Sequence, residues 1–150
     1  MKKIVVGLII FLVVGCKAKQ SNFHLEVSDQ LAKVLNNNID YNDSIAKVNN
    51  AKPYNSYWIV FSTRKPWSIS IEPYYDYYEL DRMDGYFYYK NKIISVYNLN
   101  KAFSRKFVNK KLLQKSGIKK LSHKFSDEIA NDLWRLYAVE NDSLRFLPKS

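Results

Sequence analysis

The strongest strand signal in the chain is the stretch YWIVFS at residues 57–62, and it decides the class of fold. Its residues are aromatic, bulky or β-branched, and such residues favour extended backbone. After a turn at RKP, residues 64–66, the segment WSISIE at 67–72 alternates apolar and polar side chains. That alternation is typical of an antiparallel strand with one buried face. The two segments therefore predict the first strands of an antiparallel sheet.

Two further pairs of strands are predicted. Residues 86–89 and 93–97 are rich in β-formers and flank the short polar turn 90–92, which predicts a hairpin. Near the C-terminus, residues 134–139 and 144–147 flank a polar turn and predict a closing hairpin. A competing interpretation of the last segment is a helix with an apolar stripe at Ile129, Leu133, Leu136 and Tyr137.

Helical spacing is clearest at the start of the domain. Apolar residues recur at intervals of three and four and predict a helix over residues 22–36. We expect the three asparagines at 36–38 to end it, because asparagine competes for backbone hydrogen bonds. The segment 39–54 is then expected to form loops, with at most one helical turn at 44–48. The stripe consists of Phe23, Val27, Leu31, Val34 and Leu35.

Residues 101–124 form a basic segment with nine Lys or Arg and no acidic residue. Its apolar residues do not gather into one stripe, so a broken helix that ends before Ser116 is expected rather than an amphipathic membrane-surface helix. Together these elements predict one small α+β domain over residues 23–150. It should contain an antiparallel sheet of four to six strands, an N-terminal helix and further helical segments packed on it.

The N-terminus places this domain in a compartment. Lys2 and Lys3 precede an uncharged apolar run at 4–14, which is shorter than the roughly 20 residues that a spanning helix needs. A charged start, a short apolar run and a small residue are typical of a secretory signal. The ending LVVGC at 12–16 resembles the lipobox of bacterial lipoprotein precursors. The alternatives are a plain secretory signal, or an anchor helix with a chance cysteine.

The resemblance implies a cleaved signal at 1–15, a diacylglyceryl group on the Cys16 thiol and a polar tether at 17–22. It implies a protein held on a membrane of the bacterial envelope, and the lack of an acidic cluster after Cys16 favours a location facing the periplasm. Without Lys2 and Lys3 the chain keeps a formal charge of +8. Such a charge favours anionic partners such as lipid headgroups or wall polymers. Nucleic acid is not expected for an exported protein.

The sequence offers little catalytic chemistry. Its single cysteine is assigned to lipid, its serines lie in no Gly-x-Ser-x-Gly elbow, and its two histidines, His24 and His123, lack a second ligand at metal spacing. No cofactor is expected. A hydrolase is a weak alternative that would need two converging carboxylates from one acid-rich stretch. Its members are Glu72, Asp76, Glu79, Asp81 and Asp84.

Two surfaces are candidates for binding. Eight of the chain's twelve tyrosines lie within residues 74–97, and exposed tyrosine rings suit a protein partner or a sugar. The alternative for them is cross-strand packing. The tyrosines predicted to form this candidate binding surface are Tyr74, Tyr75, Tyr77, Tyr78, Tyr86 and Tyr88. The candidate anion-binding residues are Lys101, Arg105, Lys106, Lys110, Lys111, Lys115, Lys119 and Lys120, with a solvated charged face as the alternative.

These observations predict a non-enzymatic envelope lipoprotein that binds a protein partner as an accessory, inhibitor or immunity factor. The alternative is a binding module for cell-wall glycan or an anionic envelope polymer.

Overall fold

The structure, a computed structural model, describes residues 27–74, 83–115, 133–141 and 143–148. The signal, Cys16 and the tether lie outside these residues. Two helices and six strands are present in the order α1, β1 to β4, α2, β5 and β6. Helix α1 spans Asp29–Val48 and α2 spans Lys101–Lys106; the strands are Ser56–Phe61 (β1), Ser68–Tyr74 (β2), Met83–Tyr89 (β3), Lys92–Tyr97 (β4), Arg135–Glu140 (β5) and Ser143–Leu147 (β6).

The six strands form one sheet in the order β3-β4-β1-β2-β5-β6, and the α+β class is confirmed. Both predicted hairpins are present, β3 with β4 and β5 with β6. The helical interpretation of residues 133–137 is therefore wrong, because Leu136 and Tyr137 lie in β5. Residue 129 lies outside the described residues.

The sheet departs from the antiparallel prediction at one pair, because β4 runs parallel to β1. Both strands lie in the interior of the order, with a strand on each side, and nearly all their residues are buried. Burial on both faces is the usual setting of parallel pairing. Apolar side chains on both faces of β1 are thus a signal for the parallel neighbour.

The core lies between α1 and one face of the sheet. From β1 the side chains of Tyr57, Ile59 and Phe61 point into it, as the two-residue period of a strand requires. The helix contributes Leu31, Leu35 and Ile39, which are fully buried. Around these, the neighbouring elements add Ile69, Ile71, Phe87, Ile94, Val96, Phe103 and Tyr137.

Helix α1 begins later and ends much later than predicted. Ser28 caps it by accepting a hydrogen bond from the Leu31 amide at 3.3 Å, while Val27 pairs with Val108 in an isolated β-bridge. The helix continues through the three asparagines to Val48, so the predicted stop at 36–38 and the predicted loop at 39–48 are wrong.

The polar residues of α1 do not break it because the sheet bonds their side chains. The Asn38 amide donates to the Tyr137 hydroxyl at 2.7 Å and to the Val34 carbonyl at 2.8 Å. Asp40 pairs with Lys90 at 2.6 Å. Asparagine disfavours helices through competing local hydrogen bonds. Here the tertiary partners Tyr137 and Lys90 hold the side chains of Asn38 and Asp40, and the bond from Asn38 to the Val34 carbonyl lies within the continuous helix.

The described part of the basic segment, residues 101–115, contains one short helix, which agrees with the broken-helix prediction. The Asn100 side chain caps α2 by accepting from the amides of Ala102 and Phe103 at 2.9 and 3.1 Å. The chain leaves the helix after Lys106. Further along, Gln114 exchanges two backbone hydrogen bonds with Tyr86 and so covers part of the outer edge of β3.

Candidate functional site

The tyrosine cluster is divided between packing and surface. Tyr86 and Tyr88 share one face of β3 and Phe87 lies on the other, as the strand period predicts. However, Tyr86 is only 2% exposed, and burial raises the pKa of its phenol. The prediction that Tyr86 presents its ring to solvent is therefore wrong. Tyr88 is 41% exposed, and Tyr75, Tyr77 and Tyr78 lie outside the described residues.

The sheet face opposite α1 is packed with aromatic rings. Trp58 stacks on Tyr74 with ring centroids 3.9 Å apart and meets Tyr97 at 4.8 Å. Both Trp58 and Tyr97 are buried, and Tyr74 is half-buried. Cross-strand packing thus accounts for most of the described tyrosines on this face.

The described cations of the basic segment lie at the surface. All six candidate cations between 101 and 115 are exposed, whereas Lys119 and Lys120 lie outside the described residues. In α2, Lys101 and Arg105 stand opposite the buried Phe103, as a step of 100° per residue requires. Lys110 forms an ion pair with Asp84 at 2.8 Å. The other five exposed candidate cations are Lys101, Arg105, Lys106, Lys111 and Lys115.

The two acids of the hydrolase alternative that the structure describes lie far apart. Glu72 accepts hydrogen bonds from Ser70 and from the Tyr74 hydroxyl, at 2.6 and 3.1 Å. Asp84 accepts from the Leu99 amide at 2.7 Å in addition to its pair with Lys110. Their strands, β2 and β3, are separated by two others, or about 14 Å at the usual strand spacing. That exceeds the roughly 5–9.5 Å of a glycosidase pair.

The remaining acids of that stretch, Asp76, Glu79 and Asp81, lie outside the described residues. Over the ranges that the structure describes, no group of three His, Cys, Asp or Glu is placed to hold a metal ion. In the same ranges, no helix is long and apolar enough to cross a membrane.

A surface that the sequence analysis missed lies where α1 meets β5 and β6. The guanidinium carbon of Arg135 lies 4.8 Å from the ring centroid of Tyr41 and 6.0 Å from that of Phe146. Tyr41 is 45% exposed and Phe146 is 46% exposed. We call these three residues the edge patch, because Phe146 lies on β6, the last strand of the sheet. Within the described ranges, no strand pairs with the outer side of β6.

The signal for this surface was present in part. The spacing of Leu31, Leu35 and Ile39 continues to Ala46, so an unbroken helix would have placed Tyr41 beside the sheet. Phe146 lies on the core side of its strand, yet its exposure depends on how far α1 extends over that face of the sheet. That position is a tertiary property.

A shallow groove of about 670 Å³ lies between α1 and the turn of the β3–β4 hairpin. Its charged and polar walls bond one another, since Lys90 pairs with Asp40 and the Tyr89 hydroxyl donates to the Asn36 side chain. These polar groups of the groove are therefore engaged in contacts within the folded domain. The groove is lined by Asp29, Ala32, Lys33, Asn36, Asn37, Asp40, Tyr89 and Lys90.

One buried polar cluster joins α1 to β1 and β4. The ammonium of Lys92 contacts Asp43 at 2.9 Å and the Tyr54 carbonyl at 2.7 Å, so this buried cation is paired. Burial strongly raises the pKa of Tyr57, and the neighbouring Asn42 amide offsets part of that shift. Neither amide atom of Asn42 nor the Tyr57 hydroxyl forms a hydrogen bond of ordinary geometry with any described residue.

Comparisons of the chain with protein-family models, with curated proteins and with solved structures found no match.

Proposed function

We propose that this chain is a membrane-anchored bacterial envelope lipoprotein whose domain binds a protein partner through the edge patch and catalyses no reaction. The edge patch is the observation that carries the proposal. Tyrosine, arginine and other large aromatic residues dominate the energetics of protein interfaces. An arginine between two half-exposed rings, beside the last strand of a sheet, provides such an anchor.

The sheet edge adds a second mode of contact. An extended segment of a partner can hydrogen-bond to an edge strand and place its side chains in neighbouring pockets. At the opposite edge of the sheet, the backbone of Gln114 forms hydrogen bonds with the backbone of β3 at Tyr86. The β6 edge is therefore the more suitable of the two for adding a strand.

The anchor is supported by the sequence at residues 1–16, where the chain's single cysteine ends a lipobox-like motif. One acyl chain holds a protein only marginally, whereas two or three hold it stably on a membrane. A position facing the periplasm belongs to the same proposal.

The alternative, a module for glycan or anionic polymer, has weaker support. It needs adjacent exposed tyrosine rings beside lysines, and the structure buries Tyr86. Tyr88 and the half-buried Tyr74 lie on strands β3 and β2, which are separated by two others.

The test is crosslinking in cells, followed by purification of the lipidated protein and mass spectrometry of what is recovered with it. We expect one protein in near-equal amount. The double variant Tyr41→Ala and Phe146→Ala should reduce its recovery at least tenfold, because hot-spot residues contribute about 2 kcal/mol or more. The matched control is Tyr88→Ala, which removes an equally exposed ring from the other sheet face.

Recovery of the same protein at unchanged yield with the double variant would contradict the role of the edge patch. Recovery of only lipid and wall fragments, lost with Tyr88→Ala, would support the binding-module alternative.

A further inference from the structure

The chain enters the domain at the basic segment. Val27, the first described residue, forms an antiparallel bridge with Val108, and the Ser28 amide donates to the Phe107 carbonyl at 2.8 Å. Phe107 and Val108 are buried and lie between the exposed cations of α2 and those that follow it. The start of the described chain, at Val27 and Ser28, is therefore fixed to the middle of the basic segment.

Covalent geometry limits how far this point can lie from the anchor. Eleven residue steps separate Cys16 from Val27. Fully extended, they span at most about 40 Å. As a flexible chain they have a root-mean-square length of about 18 Å. A lipid on Cys16 therefore keeps the basic segment close to the bilayer that holds the lipid.

More cations lie at the same end of the sheet. The β1–β2 turn carries the exposed Arg64 and Lys65. The residues flanking this turn, Phe61 and Trp67, both contact Phe103 of α2, with ring centroids 4.7 and 5.4 Å apart. We call this surface the basic end; its members are Arg64, Lys65, Lys101, Arg105, Lys106, Lys111 and Lys115.

Acidic groups at this end do not cancel the charge. Asp84 is paired with Lys110, and Glu140 accepts two hydrogen bonds from Arg145 at 2.5 and 2.9 Å. Asp29 lies in the first turn of α1. Even if Asp29 offsets one of the seven exposed cations, six positive charges remain among the groups described at this end.

We propose that the basic end binds the anionic phospholipid headgroups of the membrane that holds Cys16, so that the domain rests on the bilayer with this end down. The proposal rests on the lipid anchor of the proposed function. Each Lys or Arg near an anionic leaflet favours the docked state by about fivefold. That attraction extends over a Debye length of about 8 Å at physiological salt, which is why the short tether matters.

The experiment uses the processed, lipidated full protein in vesicles. Cys16 is the only cysteine and its thiol is acylated, so one introduced cysteine is the only free thiol. A fluorophore is placed at Ala102→Cys in α2, or at Val48→Cys at the far end of α1. Both positions are exposed, and α1 is about 30 Å long. Energy transfer to a headgroup-labelled lipid reports the distance of each from the bilayer.

On phosphatidylcholine vesicles containing phosphatidylglycerol, transfer from position 102 should exceed transfer from position 48. The difference should become smaller on pure phosphatidylcholine and at 1 M salt, where the Debye length is about 3 Å and only the lipid anchor still holds the basic segment near the bilayer. Replacing Lys101 and Lys111 by glutamine should lower the ratio of docked to undocked domain about 25-fold. The matched control replaces Lys47 and Lys52, exposed lysines at the other end of α1, and should change the ratio less than about twofold.

Equal transfer from both positions, or transfer that ignores lipid charge, would overturn the proposal. So would loss of binding to sedimented cell wall by the Lys101 and Lys111 variant with unchanged transfer on vesicles, which would assign the surface to a wall polymer. Failure of the protein to float with vesicles of either composition would overturn the anchor itself. Flotation with equal transfer overturns only the docking, so the two failures are distinguishable.

Discussion

Replacing Asn42 by alanine is expected to stabilise the protein, whereas the same replacement at Asn38, four residues earlier on α1, is expected to destabilise it. Both side chains are almost fully buried, with exposures of 1% and 4%. They differ in their partners. Asn38 donates to the Tyr137 hydroxyl and to a carbonyl, while neither amide atom of Asn42 forms a hydrogen bond of ordinary geometry with a described residue.

The magnitude follows from terms that the two variants do not share. Both gain about 0.6 kcal/mol of helix propensity and both leave a small cavity, so these terms cancel in the comparison. A buried polar group without a partner costs about 1–3 kcal/mol. Alanine removes that cost at position 42 and creates it for the Tyr137 hydroxyl at position 38. The free energies of unfolding should therefore differ by about 2–6 kcal/mol, with Asn42→Ala the more stable.

The assay is urea unfolding of the two variants and the parent, followed by the fluorescence of the three tryptophans, of which Trp58 is buried. Equal slopes with denaturant would show that the change lies in stability and not in the compactness of the unfolded state. Equal loss of stability in both variants would refute the reasoning, because it would mean that the folded protein satisfies the Asn42 amide.

Two further predictions concern the anchor and the buried phenols. Cys16→Ser should abolish acyl labelling in cells and leave an uncleaved precursor on a denaturing gel; normal processing of this variant would contradict the lipobox interpretation. Burial raises the pKa of Tyr57 and Tyr137, so the folded state holds these protons more tightly than the unfolded state. Their contribution is complete below about pH 10 and is lost as the pH rises further. In Tyr57→Phe, the free energy of unfolding measured in urea should fall less steeply above pH 10 and should change little at pH 8. In Tyr137→Phe, it should be lower by about 1 kcal/mol at pH 8, because the Tyr137 hydroxyl accepts a hydrogen bond from Asn38. An unchanged alkaline slope in Tyr57→Phe would contradict the assignment of that phenol.

The strands could be predicted because their signals are local. Residues 57–62 and 67–72 show strand composition or alternation in the sequence itself. In the turn of the β3–β4 hairpin, Lys90 and Asn91 have φ of 47° and 58°. A two-residue hairpin loop in a type I′ turn requires positive φ at both central residues, and asparagine tolerates this conformation. No distant residue is needed to explain these elements.

The long helix could not be predicted in the same way, because its polar half depends on partners far along the chain. Asn38 bonds Tyr137 across 99 positions, and Asp43 pairs with Lys92 across 49. Read locally, the run of asparagines and aspartates from 36 to 43 indicates a loop. Two features of the sequence argued for a helix: the apolar stripe through Leu31, Leu35, Ile39 and Ala46, and the absence of Gly and Pro from residues 16–52.

The candidate surfaces were predictable only where charge decides. Lysines stay exposed in most settings, since burial of an unpaired ammonium is costly, and the described cations of the basic segment are exposed as expected. A tyrosine is compatible with either core or surface. Tyr86 and Tyr88 are neighbours on one strand face, yet one is buried and the other is not. The sequence carries no local feature that separates them.

The two proposed surfaces lie at opposite ends of the sheet, so they do not compete. Strand β5 begins at Arg135 in the edge patch and ends at Glu140, and near that end the Val139 amide donates to the Trp67 carbonyl beside the β1–β2 turn of the basic end. Six strand residues span about 20 Å. A domain docked through the basic end therefore holds Tyr41, Arg135 and Phe146 away from the bilayer by about that distance. Since the tether reaches at most about 40 Å, a partner that binds the edge patch must itself extend close to the same membrane surface.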